Sequence, residues 1–215
     1  MKLTKKRKIV YGVFAVLLII LALNSLYIVK IINTYTKNVK EKCVVYIRPG
    51  ATFSDIVDSV SVHLKDKKSF VKTAEYNNLQ TSFKPGRYLF VQGMKNWEIV
   101  RTIQNGWESP MKLTLSGNIR SKERMASILG RKLAADSASF INYFNDTTVC
   151  QKYALTPQTF ISLFIPNTYE VYWTMTPAQF VERMKKEHDA FWTSERENKA
   201  KIVGLSKTEV SILAS

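Results

Sequence analysis

Ile9 to Val29 reads IVYGVFAVLLIILALNSLYIV, and this stretch decides the architecture of the chain. It carries no group ionised at neutral pH, and only Asn24 and Ser25 are strongly polar. At a rise of 1.5 Å per residue, a run of about 20 apolar residues covers the hydrocarbon core of a bilayer. Five of the first eight residues are basic (Lys2, Lys5, Lys6, Arg7 and Lys8), so the positive-inside rule keeps the N-terminus in the cytoplasm and exports everything after Lys30. Tyr11 and Tyr27 stand near the two ends, where interfacial aromatics sit. A cleaved signal peptide is the alternative, but its apolar region runs about 7–15 residues and ends in a small-residue site. This stretch is longer and ends in Leu26-Tyr27-Ile28-Val29.

The anchor changes the meaning of the charge. The 215 residues carry a formal +15, with 46% hydrophobic and 23% charged residues, which excludes a disordered tail, a collagen-like fibre and a disulfide-dense mini-protein. Residues 1–42 hold nine Lys and Arg against Glu41, a net +8, which leaves +7 for residues 43–215. More than half of the excess therefore serves topology and headgroup attraction. The rest is scattered without a Lys/Arg block, so a solvated basic surface is expected and no nucleic-acid partner. Cys43 and Cys150 could pair on the oxidising exported side or stay as separate thiols. His63 and His188 lack any Cys, His or carboxylate spacing around them, and neither a metal nor another cofactor is expected.

Outward from the anchor, residues 43–107 spell a β-α-α-β-α unit. Cys43–Ile47 is β-branched and aromatic, hence a strand, and Pro49-Gly50 breaks it. Thr52-x-x-Asp55 opens a helix with Phe53, Ile56, Val57, Val60 and Leu64 on one face. A second helix is expected from Ser69, a second strand over Arg87–Val91 after Lys84-Pro85-Gly86, and a third helix capped by Asn96. Beyond Trp107 come a strand at Met111–Leu115, helices from Ser121 and Ser137, and two Thr-Pro starts at Thr156-Pro157 and Thr176-Pro177. Ser206-x-x-Glu209 opens a last helix that runs into Ser215 without a C-cap, so the chain is expected to be truncated there.

No nucleophile elbow, P-loop or dinucleotide glycine pattern is present. Residues 159–176, TFISLFIPNTYEVYWTMT, concentrate aromatics around Pro166-Asn167-Thr168 and one carboxylate, Glu170. Aromatic faces with a few polar groups suit sugar rings. An ordinary buried segment with an exposed Glu fits the same residues.

The anchor, Pro49-Gly50-Ala51-Thr52-Phe53, Lys84-Pro85-Gly86-Arg87-Tyr88 with Gly93-Met94, Phe164-Ile165-Pro166-Asn167-Thr168-Tyr169 and the ending Gly204-Leu205-Ser206…Leu213-Ala214-Ser215 occur in order. Together they resemble the YceG-like endolytic murein transglycosylases. The resemblance implies an α+β chain in five parts. These are a cytoplasmic tail (1–8), a transmembrane helix (9–29), a juxtamembrane linker (30–42), a LysM-like module (43–107) and the start of a mixed α/β catalytic domain, incomplete here (108–215). It implies non-hydrolytic cleavage between N-acetylmuramic acid and N-acetylglucosamine, with one Glu acting first as acid and then as base, leaving 1,6-anhydro ends.

In the family, Leu-Ala-Ser is continued by two aliphatics and Glu-x-Glu, so the catalytic Glu is expected just beyond Ser215 and no catalytic residue within this chain. Many members also carry a Glu-Gly pair where this chain has Ile161-Ser162. Pro166, Asn167, Thr168, Tyr169, Glu170 and Tyr172 remain as candidates to line a substrate groove. The implied partners are peptidoglycan strands and the membrane, with cell-wall synthases or division proteins as further candidates. A wall-binding tether without catalysis is the competing reading.

Overall fold

The computed structural model describes residues 5–117 and 119–213, with no side-chain description for residues 5–12. Ala214 and Ser215 of the ending motif and the first four residues of the expected cytoplasmic tail lie outside the described residues. The chain divides into two units, Met1–Trp107 and Glu108–Ser215. Among the described residues it is a mixed α/β chain with one N-terminal apolar helix and two small sheets.

In the first unit, helix α1 runs Lys5–Tyr35, and every side chain from residue 13 to residue 32 is exposed. An uncovered apolar surface of that length suits lipid and not water. The helix does not stop at Val29, and the stretch expected as a linker is structured. The run Val29–Ile32 keeps the helix going, and Asn38 and Val39 beyond it are fully buried. Lys37 bridges to Lys95 and Val39 to Leu64.

Strand β1 (Cys43–Ile47) pairs antiparallel with β2 (Gly86–Phe90), placing Val45 opposite Tyr88. Between them lie α2 (Phe53–Ser61), α3 (Lys67–Tyr76) and a short α4 (Leu79–Ser82), and α5 (Asn96–Asn105) follows β2. The Thr52–Asp55 capping box forms, and Ile56, Val57 and Val60 turn inward. Helix α3 starts two residues before Ser69 because Asp66 accepts the amides of Lys68 and Ser69. Asn96 does not cap α5; it is its first helical residue, with its side chain spent inside the unit. The unexpected α4 makes the order β-α-α-α-β-α.

The second unit pairs β3 (Met111–Leu115) with β4 (Asn167–Val171), again antiparallel. Helices α6 (Lys122–Lys132), α7 (Ser137–Asn145) and α8 (Thr147–Lys152) lie between the strands, and α9 (Pro177–Phe191), α10 (Ser194–Ile202) and α11 (Lys207–Leu213) follow. Thr176 caps α9 with Pro177 at N1 as expected. Thr156-Pro157 does not open an α-helix. The Thr156 and Thr159 hydroxyls bond to each other and each accepts the other's amide in one turn, a single 3-10 turn follows at Phe160–Leu163, and Pro166 then forces extended backbone. The core gathers Phe140, Phe144, Phe160, Phe164 and Phe180 under Leu113, Leu115, Tyr169 and Val171 of the sheet.

Helices α6 and α7 meet at Gly130, which has ordinary helical backbone. A Cβ there would fall on the Ser137 hydroxyl and amide and within 2.8 Å of the Ser137 Cα. Gly→Ala inside a helix normally stabilises by about 1 kcal/mol. Here the sign reverses, because the obstacle is backbone. Gly130→Ala is expected to destabilise the second unit by about 1–3 kcal/mol, the usual cost of overpacking. Hydrogen exchange of α6 and α7 amides in the full chain would show it; slower exchange than in the unsubstituted chain would refute the close approach.

Candidate functional site

Strand β4 carries the sequence-selected groove candidates, and its pleat sorts them. Tyr169 and Val171 point into the core, while Asn167, Thr168 and Glu170 are exposed, as are Pro166 before the strand and Tyr172 after it. Burial pushes the Tyr169 phenol up to about 12, and its hydroxyl donates to the Ile165 carbonyl at 2.5 Å. Its ring and hydroxyl are thus spent inside the unit and not on the outer face of the sheet. Thr168 meets Thr114 across the sheet, hydroxyl to hydroxyl at 2.8 Å. Glu170 faces solvent opposite Lys112. Thr168 and Glu170 share one outer sheet face, and Tyr172 just past the strand continues the alternation.

The aromatic density that drew attention to residues 159–176 has another cause. Phe160 and Phe180 are fully buried and Phe164 nearly so, with ring centroids 5.4–6.0 Å from their neighbours in the phenylalanine cluster. These rings are core and cannot stack on a sugar. Of the candidates on β4, those on the polar outer face of the sheet stay exposed.

The first unit holds a concavity that sequence reasoning missed, a cleft of about 420 Å³ where β1 passes into α2. Tyr46, Arg48, Gly50, Asp55 and Ser59 line it. Its floor follows from local chemistry. Gly50 takes φ +79°, which suits glycine, and lets Ala51 N–H reach the Arg48 carbonyl at 3.1 Å. Asp55 accepts the Thr52 amide and hydroxyl, both at 2.7 Å, and these bonds hold its carboxyl below the usual range. The cleft thus offers an exposed aromatic ring, a guanidinium and a fixed carboxylate, an arrangement for binding hydroxyl-rich or acidic ligands and not for proton transfer. Pro49-Gly50 followed by the capping box was the signal that could have found it.

Acid–base chemistry at neutral pH asks for a carboxyl raised by burial. Among the described residues, every carboxylate clearly moved from its ordinary value is moved down. Asp55, Glu123, Asp136, Asp146 and Glu209 are lowered by hydrogen bonds at helix starts, and Asp189 by Lys185. Cys43 and Cys150 are both free thiols, the second buried with its thiol raised by desolvation. Both His63 and His188 lie on or beside helices; burial lowers the pKa of His188. Among the described residues no three His, Cys, Asp or Glu side chains converge to hold a metal ion.

What the site lacks in chemistry, the chain supplies in kinship. Residues 45–215 match the YceG-like family, from the middle of β1 through both units. The chain belongs to the YceG-like family. A crystal structure of a YceG-like protein (lmo1499) from Listeria monocytogenes aligns at 21% identity with a TM-score of 0.40. The alignment covers 78% of this chain and 60% of that one. No curated protein matches the chain. Both the cleft at Arg48 and the outer face of β4 fall inside the span matched to the YceG-like family.

Proposed function

We propose that this chain belongs to a membrane-anchored endolytic transglycosylase that cuts the bond between N-acetylmuramic acid and N-acetylglucosamine in nascent peptidoglycan. The observation that carries the reading is the family match over residues 45–215. In this reading α1 spans the inner membrane with its N-terminus in the cytoplasm, and the rest of the chain is exported to the periplasmic side. The first unit acts as a LysM-like module, holding glycan at the Tyr46–Arg48 cleft. The second unit is the start of the catalytic domain, and the exposed Pro166, Asn167, Thr168, Glu170 and Tyr172 lie along the path of the strand.

The acid–base is a Glu beyond Ser215. It protonates the glycosidic oxygen as the bond to C1 of the muramic residue breaks. The resulting carboxylate then takes the proton of that residue's 6-hydroxyl, whose oxygen closes on C1 to give the 1,6-anhydro end. No water is consumed and the Glu ends as it began. One carboxyl suffices if burial brings its pKa near the working pH, unlike the paired carboxylates of hydrolases. Glu170 is too open for this role, so it is assigned to the groove.

A glycan-binding tether without catalysis is the second reading, supported by the binding chemistry of the cleft. One experiment separates the two. Purified glycan strands are incubated with the 215-residue chain and with a longer chain read on from the same gene, and anhydro-muropeptides are measured by mass. The longer chain is expected to release them and the shorter chain to release none. Glu170→Gln in the longer chain should leave release within about twofold of the parent, well under the tenfold that 1.4 kcal/mol would represent. Release by the short chain, abolished by Glu170→Gln, would move the acid to Glu170. No release from either would leave the tether, to be checked by loss of wall pelleting in Tyr46→Ala.

A further inference from the structure

The first unit is not hung from its anchor but built onto it, and this fixes which of its faces meets the bilayer. The apolar run Ile9–Val29 extends about 31 Å as helix, the thickness of a hydrocarbon core, so Lys30 stands at its outer boundary. From there α1 runs alongside α3 in the opposite direction. Lys30 Nζ lies 5.3 Å over the ring of Tyr76 at the end of α3, whereas Asn38 reaches Ser69 near its start. Helix α5 runs the same way as α3. Its first residue, Asn96, donates to the Asn33 carbonyl, and near its end Gln104 donates to the Asn77 carbonyl at 2.6 Å. The ends of α3 and α5 therefore form the membrane side of the unit, at the level of Lys30.

The residues at that level have the chemistry of an interface. Gly106, with φ +66°, turns the chain out of α5, and Trp107 follows it, 56% exposed. The Arg101 guanidinium lies 5.5 Å from the Trp107 ring, and Lys84 lies against Gly106. Tyr76 is 45% exposed. Two amphipathic aromatics with Lys30, Lys84 and Arg101, against Glu75 and Glu98 as neighbouring carboxylates, match the aromatic belt and the anionic headgroup layer. We propose that this rim seats on the bilayer surface, Tyr76 and Trp107 at headgroup depth and the three cations on the phosphates of anionic phospholipid. The inference rests on reading α1 as a span, and it adds that the module is held flat on the membrane at fixed height. A unit so held meets glycan only next to the membrane.

The test uses the full chain in nanodiscs of lipids brominated near the headgroup end, made with phosphatidylcholine alone or with added phosphatidylglycerol. Co-elution of chain and disc reports the span. The quenched emission that disappears in Trp107→Phe reports the rim. Quenching of Trp107 is expected in both discs, stronger with phosphatidylglycerol, and the lipid-dependent increase should vanish in Lys84→Glu/Arg101→Glu and weaken with salt. A chain that enters the disc with Trp107 unquenched overturns the proposal, and so does a charge reversal that leaves the lipid dependence intact. A chain that does not enter the disc overturns the span reading and the proposal with it.

Discussion

Phe144→Ala is expected to cost the second unit about 3–5 kcal/mol, the range for truncating a fully buried aromatic side chain. Phe144 is wholly buried on α7, and its ring centroid stands 5.4 Å from those of Phe160 and Phe164 and 6.0 Å from that of Phe140. It joins α7 to the 3-10 turn before β4 and, through Phe164 and Phe140, to Phe180 of α9. Few neighbours are free to collapse into the space, because each ring is held by another ring. The cavity term therefore adds to the transfer term. Phe144→Leu keeps most of the volume and should cost far less. The measurement is amide hydrogen exchange in the full chain: protection in β3, β4 and α9 should fall together, with the first unit unmoved. A loss under about 1 kcal/mol would mean the rings are loosely packed.

The same cluster shows how much was legible in the sequence and where reading stopped. Strands β1 and β3, the capping boxes at Thr52 and Ser206 and the start of α9 could be read directly, because each rests on a local rule of residue type and spacing. Helix α10 shows no apolar period, since SERENKAKI buries only Ala200; its signals are the Thr193 cap, Glu195 and Glu197 in the first turn and the Glu195–Lys199 pair on its surface. The short α4 and α8 are too brief to establish a period. Strand β4 carries two signals that point different ways. Tyr169 in, Glu170 out and Val171 in is a two-residue alternation, but the density of aromatics suggested a ligand groove. Those aromatics came from three separate elements meeting in one core. Sequence proximity cannot distinguish a cluster that faces outward from one that faces inward, since both need the same residues. The cleft at Arg48 was hidden for the complementary reason, because a concavity depends on what the flanking elements leave empty.

Asn38→Leu is expected to cost the first unit about 2–4 kcal/mol, although it replaces a polar group by an apolar one in a core. The residue is fully buried three positions after α1 ends. Its Nδ2 donates to the Asp66 carbonyl at 2.7 Å and to Asn96 Oδ1 at 2.8 Å, and its Oδ1 accepts the Asp66 amide at 2.7 Å. Asn96 in turn donates to the Asn33 carbonyl at 2.7 Å and to Ser69 Oγ at 3.0 Å. The two amides thus use their donors on the end of α1, the start of α3 and each other. Leucine would strand Asn96 Oδ1 in the core, take the Asn38 partner from the Asp66 amide and leave the Asp66 carbonyl with the Ser69 hydroxyl alone, at about 1–3 kcal/mol for each group not rescued. A half-satisfied polar network is worse than none, so changing both residues should cost less than the sum of the single changes. Two measurements in the full chain decide the point. Exchange protection in α3 and α5 should collapse in Asn38→Leu, and Trp107 should lose its fixed depth in a brominated nanodisc although Lys84, Arg101 and Trp107 are untouched. If protection falls while the depth of Trp107 holds, Asn38 stabilises the module without joining it to the anchor. If neither changes, the buried amides carry no weight and the helix and the module are joined by packing alone.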